Sequence, residues 1–82
     1  MGKTKNLEKL LDLFSGVLGI HKSKINDETS PDNTETWDSY NGLMMVSELE
    51  SAFNVYFTMD EVVAVRNVGD IIKTLKKHGV DL

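Results

Sequence analysis

Leu7, Leu10, Leu11, Phe14, Val17 and Leu18 recur at the spacing of one helical face, so the chain opens with an amphipathic helix over about residues 5–18. Gly19 follows the last periodic position, where a left-handed stop is favoured. Gly16, inside the run, weakens the helix by about 1 kcal/mol relative to alanine, which packing of the flanking Leu and Phe side chains offsets. From Ile20 to Thr36 the periodicity disappears. The stretch "NDETSPDNTET" is dense in turn formers and holds the only proline, Pro31. A loop this long in a short chain is usually functional or mobile, with Ile25 as its clear apolar anchor, joined at the far end by Trp37.

Periodicity returns at Tyr40, Leu43, Met44, Val46, Leu49 and Phe53, predicting a second helix over residues 39–53 with Asp38 as its N-cap and Asn54 as its stop. "TMDE", Thr58 to Glu61, matches a capping box that opens a short helix through about Val65. Asn67 caps a last helix whose buried stripe is Val68, Ile71, Ile72 and Leu75. Lys73, Lys76 and Lys77 suit its C-terminal dipole, and Gly79 ends it. "VYF", residues 55–57, has no second strand signal to pair with and reads as a buried linker. The expected architecture is all-α: a small four-helix bundle of three longer helices and one short one, with a long loop between helices one and two.

Length then limits what such a bundle can do. Residues 1–82 read as a single domain, and a chain this small buries only about 60–65% of its unfolded surface. That leaves little room for an internal catalytic cleft. With no cysteine there is no disulfide framework, thiolate nucleophile or zinc ribbon, which fits a reducing compartment. No apolar run approaches the roughly 20 residues of a membrane span. Neither a signal peptide nor a myristoylation site opens the chain, since Asn6 stands where the latter needs Ser or Thr. The expectation is a soluble, cytoplasmic monomer.

The net charge of −4 conceals a sorted distribution. Five lysines face only Glu8 and Asp12 in residues 1–26, and Arg66 with three lysines faces Asp70 and Asp81 at the other end. Between them, residues 27–65 carry nine carboxylates and no Lys or Arg. Such a block repels nucleic-acid backbones and attracts a basic protein surface. Helix-turn-helix binding to DNA is excluded by the same sign, because Glu48 and Glu50 lie on the second helix. "DETSPDNTETWD" fails as a calcium loop, with Pro31 at its fifth place and Asp32 where the turn glycine belongs. No glycine-rich phosphate loop is present, and His21 and His78 read as surface residues with no base-like partner at a telling spacing. What remains is Ser39, solvent-facing in the first turn of a helix and adjacent to Asp38.

"WDSYNGLMMVSELESAF" resembles the signature of acyl carrier proteins, in which the serine of an Asp-Ser-Leu motif opens the second helix. "GVLGI" with "KSKIN", and "TMDEVVAVRNVGDIIKTLKKHG", extend the resemblance over nearly the whole chain. It implies that Ser39 bears 4′-phosphopantetheine, donated by coenzyme A through a magnesium-dependent holo-carrier synthase, a phosphopantetheinyl transferase that Asp38 would face. The arm's thiol would carry acyl groups as thioesters to ketosynthases or acyl ligases, the carrier itself being no enzyme. Docking to basic partner surfaces would fall to Tyr40, Asn41, Met44, Glu48, Asp60 and Glu61, with Glu50 further along. A sequestered acyl chain would lie between helices two and three, among Val46, Leu49, Val62 and Val65.

The chain departs from the family pattern in three places: Tyr40 replaces the usual leucine, and Asn41 and Met44 occupy positions that are often acidic. A specialised carrier with dedicated partners is therefore expected, rather than the general fatty-acid carrier. The alternative is an unmodified helical interaction module in which Ser39 only starts a helix.

Overall fold

The computed structural model describes residues 2–82, with side chains from residue 5 onward. Four helices follow in order: α1 (Gly2–Leu18), α2 (Ser39–Phe53), α3 (Met59–Ala64) and α4 (Val68–Lys77). No strand occurs among the described residues, and the segment 55–57 is a linker only half-buried at Val55 and Phe57, with Tyr56 81% exposed rather than buried. The protein is thus an all-α bundle of three longer helices and one short one, with its longest loop between α1 and α2.

Each helix end has a local cause. The Asp38, Thr58 and Asn67 side chains accept from the third backbone N–H of α2, α3 and α4 respectively, and Thr58 with Glu61 completes a reciprocal capping box. Gly19, Asn54 and Gly79 stop α1, α2 and the turn after α4 with φ of 67°, 56° and 90°. Asn54 tolerates that left-handed geometry better than most side chains. The first helix begins at Gly2, earlier than its apolar periodicity required.

Leu10, Phe14 and Leu18 of α1, Met45 and Leu49 of α2, and Val68, Ile71 and Leu75 of α4 form the fully buried centre. Trp37, Ile25 and Leu82 close its edges. The expected stripes need correction at four positions: Met44 is 38% exposed, Leu7 40%, Leu43 63% and Tyr40 70%. On α2 apolar residues occupy more than one face, so spacing alone does not select the buried one. Met45 takes the central place, one residue from Met44.

The loop is also more structured than its composition suggests. It contains a single 3-10 turn, Lys22–Lys24, and buries Thr29 and Ser30. The N–H groups of Val68 and Gly69, at the start of α4, donate to the carbonyls of Thr29 (3.0 Å) and Asp27 (2.9 Å). Two free donors of a helix N-terminus are thereby satisfied by the loop backbone. Thr36 Oγ1 donates to the Leu18 carbonyl at 2.7 Å, tying the far end of the loop to α1. No helix among the described residues is long and apolar enough to cross a membrane.

Candidate functional site

Trp37 sets the position of the α2 start. Only 8% exposed, its indole stacks on Phe14 of α1 with centroids 6.4 Å apart and planes 27° apart. The next residue, Asp38, has extended backbone, and its Oδ1 accepts from the Asn41 N–H at 2.8 Å. Its carbonyl accepts from the Gly42 N–H, also at 2.8 Å. Ser39 is consequently fixed as the first residue of α2, and it is exposed. A hydroxyl in this position is accessible to a second protein and sits at the positive end of a fifteen-residue helix.

Ser39 also stands on the rim of a cavity of about 520 Å³ between α2 and α3. Leu43, Val46, Phe57, Val62, Val65 and Ile71 form most of its wall, with Trp37 and Gly42 near the serine. Of the four residues expected there, Val46, Val62 and Val65 line it. Leu49 does not: it is fully buried in the core, one turn past Met45 on the inward face of α2. The volume falls within the range of small-molecule sites, and an apolar wall with few polar groups suits a hydrocarbon tail.

Two known proteins are similar to this chain over most of its length. The acyl carrier protein of Azobacteroides pseudotrichonymphae is 32% identical over 72 residues, covering 87% of this chain and 85% of the relative. That of Clostridium acetobutylicum is 30% identical over 71 residues, covering 87% and 92%. The chain belongs to the acyl carrier protein family. No family model matches it.

Within this family member, the residues flanking Ser39 divide into free and committed side chains. Tyr40 and Met44 share a groove of about 440 Å³ on the α1 side, where Glu48 also lies, and Glu48 and Asp60 are exposed. Asn41 is half-buried, and its amide donates to the Thr36 carbonyl at 2.8 Å, fastening the loop to α2. A carboxylate at that position has no proton to donate, so its amide has a structural reason independent of any partner.

Two acids expected at the surface are also committed. Glu50 Oε2 accepts from the Phe57 N–H at 2.9 Å and so holds the linker that carries Phe57 into the cavity wall. The side chain of Glu61 is only 13% exposed. Its Oε1 accepts from the Thr58 N–H at 2.9 Å, and both carboxylate oxygens accept from His78 Nε2–H at 2.9 and 3.0 Å. The Thr58 N–H first, then His78, lowers the Glu61 pKa from its ordinary value. His78 stacks on Phe57 at 5.7 Å, so it is a tether between α3, the linker and the end of α4 rather than a bare surface histidine. Seventeen residues separate this pair in sequence, and no local spacing could have revealed it.

Proposed function

We propose that the protein is an acyl carrier modified at Ser39 with 4′-phosphopantetheine. The observation that carries this reading is an exposed serine at the first position of an Asp38-capped helix, on the rim of an apolar cavity. The chemistry of the residues fits the group. A helix N-terminus favours a phosphodiester anion, the Ser39 hydroxyl is open to a transferase, and Asp38 holds the first turn in place beneath it. When bound, the arm supplies a thiol that carries acyl groups as thioesters, which a chain without cysteine otherwise lacks.

The wall formed by Val46, Val62 and Val65 would hold the acyl tail between α2 and α3. Partner enzymes, of the ketosynthase or acyl-ligase kind, would meet Tyr40, Met44, Glu48 and Asp60, which are exposed. Asn41 and Met44 stand where family members often carry acids, and exposed Met44 with Tyr40 offers apolar surface beside the arm, which favours dedicated partners over those selected by charge alone. Glu50 and Glu61, held within the fold, would contribute little to docking.

The test is incubation with coenzyme A, magnesium and a broad-specificity phosphopantetheinyl transferase, followed by intact-mass spectrometry. A mass gain in the wild type that is lost in Ser39→Ala supports the carrier. A folded wild type of unchanged mass would make the protein an unmodified interaction module.

A further inference from the structure

The wall of the cavity contains one polar side chain that the carrier role leaves unused. Trp37 is more than nine-tenths buried, and its Nε1–H has no hydrogen-bond partner among the described residues. No fully enclosed side-chain nitrogen or oxygen among them lacks a partner. The indole nitrogen is therefore not sealed in the core; its ring lines the cavity, and so does Gly42, the residue set against Nε1.

Gly42 explains how that edge stays uncovered. A Cβ at this position would lie 3.4 Å from Nε1 and 3.8 Å from Cδ1 of Trp37, covering the donor without a clash. Residue 42 is also the fourth of α2, where a helix entered from an apolar residue normally places an apolar side chain against it. Glycine weakens a helix at this point, yet here it leaves the donor open toward the cavity. Buried indole N–H groups usually find a partner, and one polar group in an apolar wall fixes the orientation of whatever binds. Ser39 and Trp37 line the same cavity, so a chain attached at Ser39 and lodged there would lie against the ring that carries this donor.

We propose that the Trp37 indole N–H donates a hydrogen bond to an oxygen on the carried chain, so that the preferred cargo is a hydroxy- or oxo-substituted acyl group rather than a saturated one. The inference rests on the carrier reading. Indole is a donor only, which makes the matching group an acceptor oxygen. A site built around such a bond disfavours the analogue lacking it, because the donor then stays unpaired in an apolar wall.

Trp37 is the only tryptophan, so its indole N–H gives one resolved signal in heteronuclear NMR of the full chain. The protein is loaded by transferase from octanoyl-coenzyme A or β-hydroxyoctanoyl-coenzyme A, and loading is confirmed by intact mass. With the β-hydroxy cargo the indole proton should exchange with solvent about tenfold more slowly than with octanoyl, the protection of roughly one net hydrogen bond. In Gly42→Ala, whose added methyl covers the indole edge, the difference should vanish. Equal exchange with both cargoes, or a difference that persists in Gly42→Ala, overturns the proposal. A chain that gains no mass fails before the NMR stage, and that result overturns the carrier reading itself.

Discussion

Replacing Glu50 by alanine separates an acid held within the fold from Glu48, an exposed acid on the same helix. In the native fold Glu50 Oε2 accepts from the Phe57 N–H at 2.9 Å, a charge-assisted bond in a half-buried linker. Alanine removes the acceptor and leaves that N–H without a protein partner, at a cost of about 1.5–3 kcal/mol, of which alanine's better helix propensity returns only a few tenths. A fold of 82 residues has a total stability of about 4–12 kcal/mol. The loss is therefore a substantial fraction of the whole. For a domain of this size each kcal/mol shifts the melting temperature by about 4–8 °C, so Glu50→Ala should melt at least about 4 °C lower. Thermal unfolding followed by circular dichroism measures it. Glu50→Gln retains an acceptor oxygen and should recover most of the loss, while Glu48→Ala, at an exposed position, should stay within about 0.5 kcal/mol of wild type. If Glu50→Ala melts with the wild type, the linker is not held as described, and Glu50 returns to the docking surface.

Three other perturbations test neighbouring parts of the fold. Asn41→Ala removes the donor to the Thr36 carbonyl and should cost about 0.5–1.5 kcal/mol in urea unfolding, with faster amide exchange in the loop before α2. Gly69→Ala places a Cβ 3.2 Å from the Asp27 carbonyl oxygen; pushing the loop off the start of α4 should destabilise by about 1–3 kcal/mol, measured in the same titration. The Glu61 pKa is lower in the fold than in the unfolded chain, so its contribution is fully present above the ordinary value of 4.5 and is lost as pH falls through the lowered folded value. Glu61→Gln should therefore flatten the acid limb of a stability-against-pH curve below about pH 4.5, and an unchanged limb would contradict the assignment.

Most of the helical framework was legible in the chain, because caps and stops are local. Asp38, Thr58 and Asn67 marked three helix starts, and Gly19, Asn54 and Gly79 marked the ends. Ser39 was legible as an exposed helix-start residue for the same reason. Less legible was which face of α2 turns inward: apolar residues at 43, 44, 45 and 46 crowd one turn, and burial of Met45 over Met44 is decided by how α2 packs into the shared core. The pairings Glu61–His78, Glu50–Phe57 and Thr29–Val68 were hidden because each is settled by how separate elements pack. Those same pairings determine which acids remain available to a partner. Charge read along the sequence therefore overstates the number of free surface acids; of the residues expected to dock, Tyr40, Met44, Glu48 and Asp60 are exposed.

The central claim concerns a thiol. The chain has no cysteine, so a thiol titration of the folded protein begins at zero. After incubation with coenzyme A, magnesium and a phosphopantetheinyl transferase, and removal of free coenzyme A, the wild type should titrate to one thiol per chain and Ser39→Ala to none. A folded wild type that remains without a thiol, or a Ser39→Ala protein that gains one, would contradict the account.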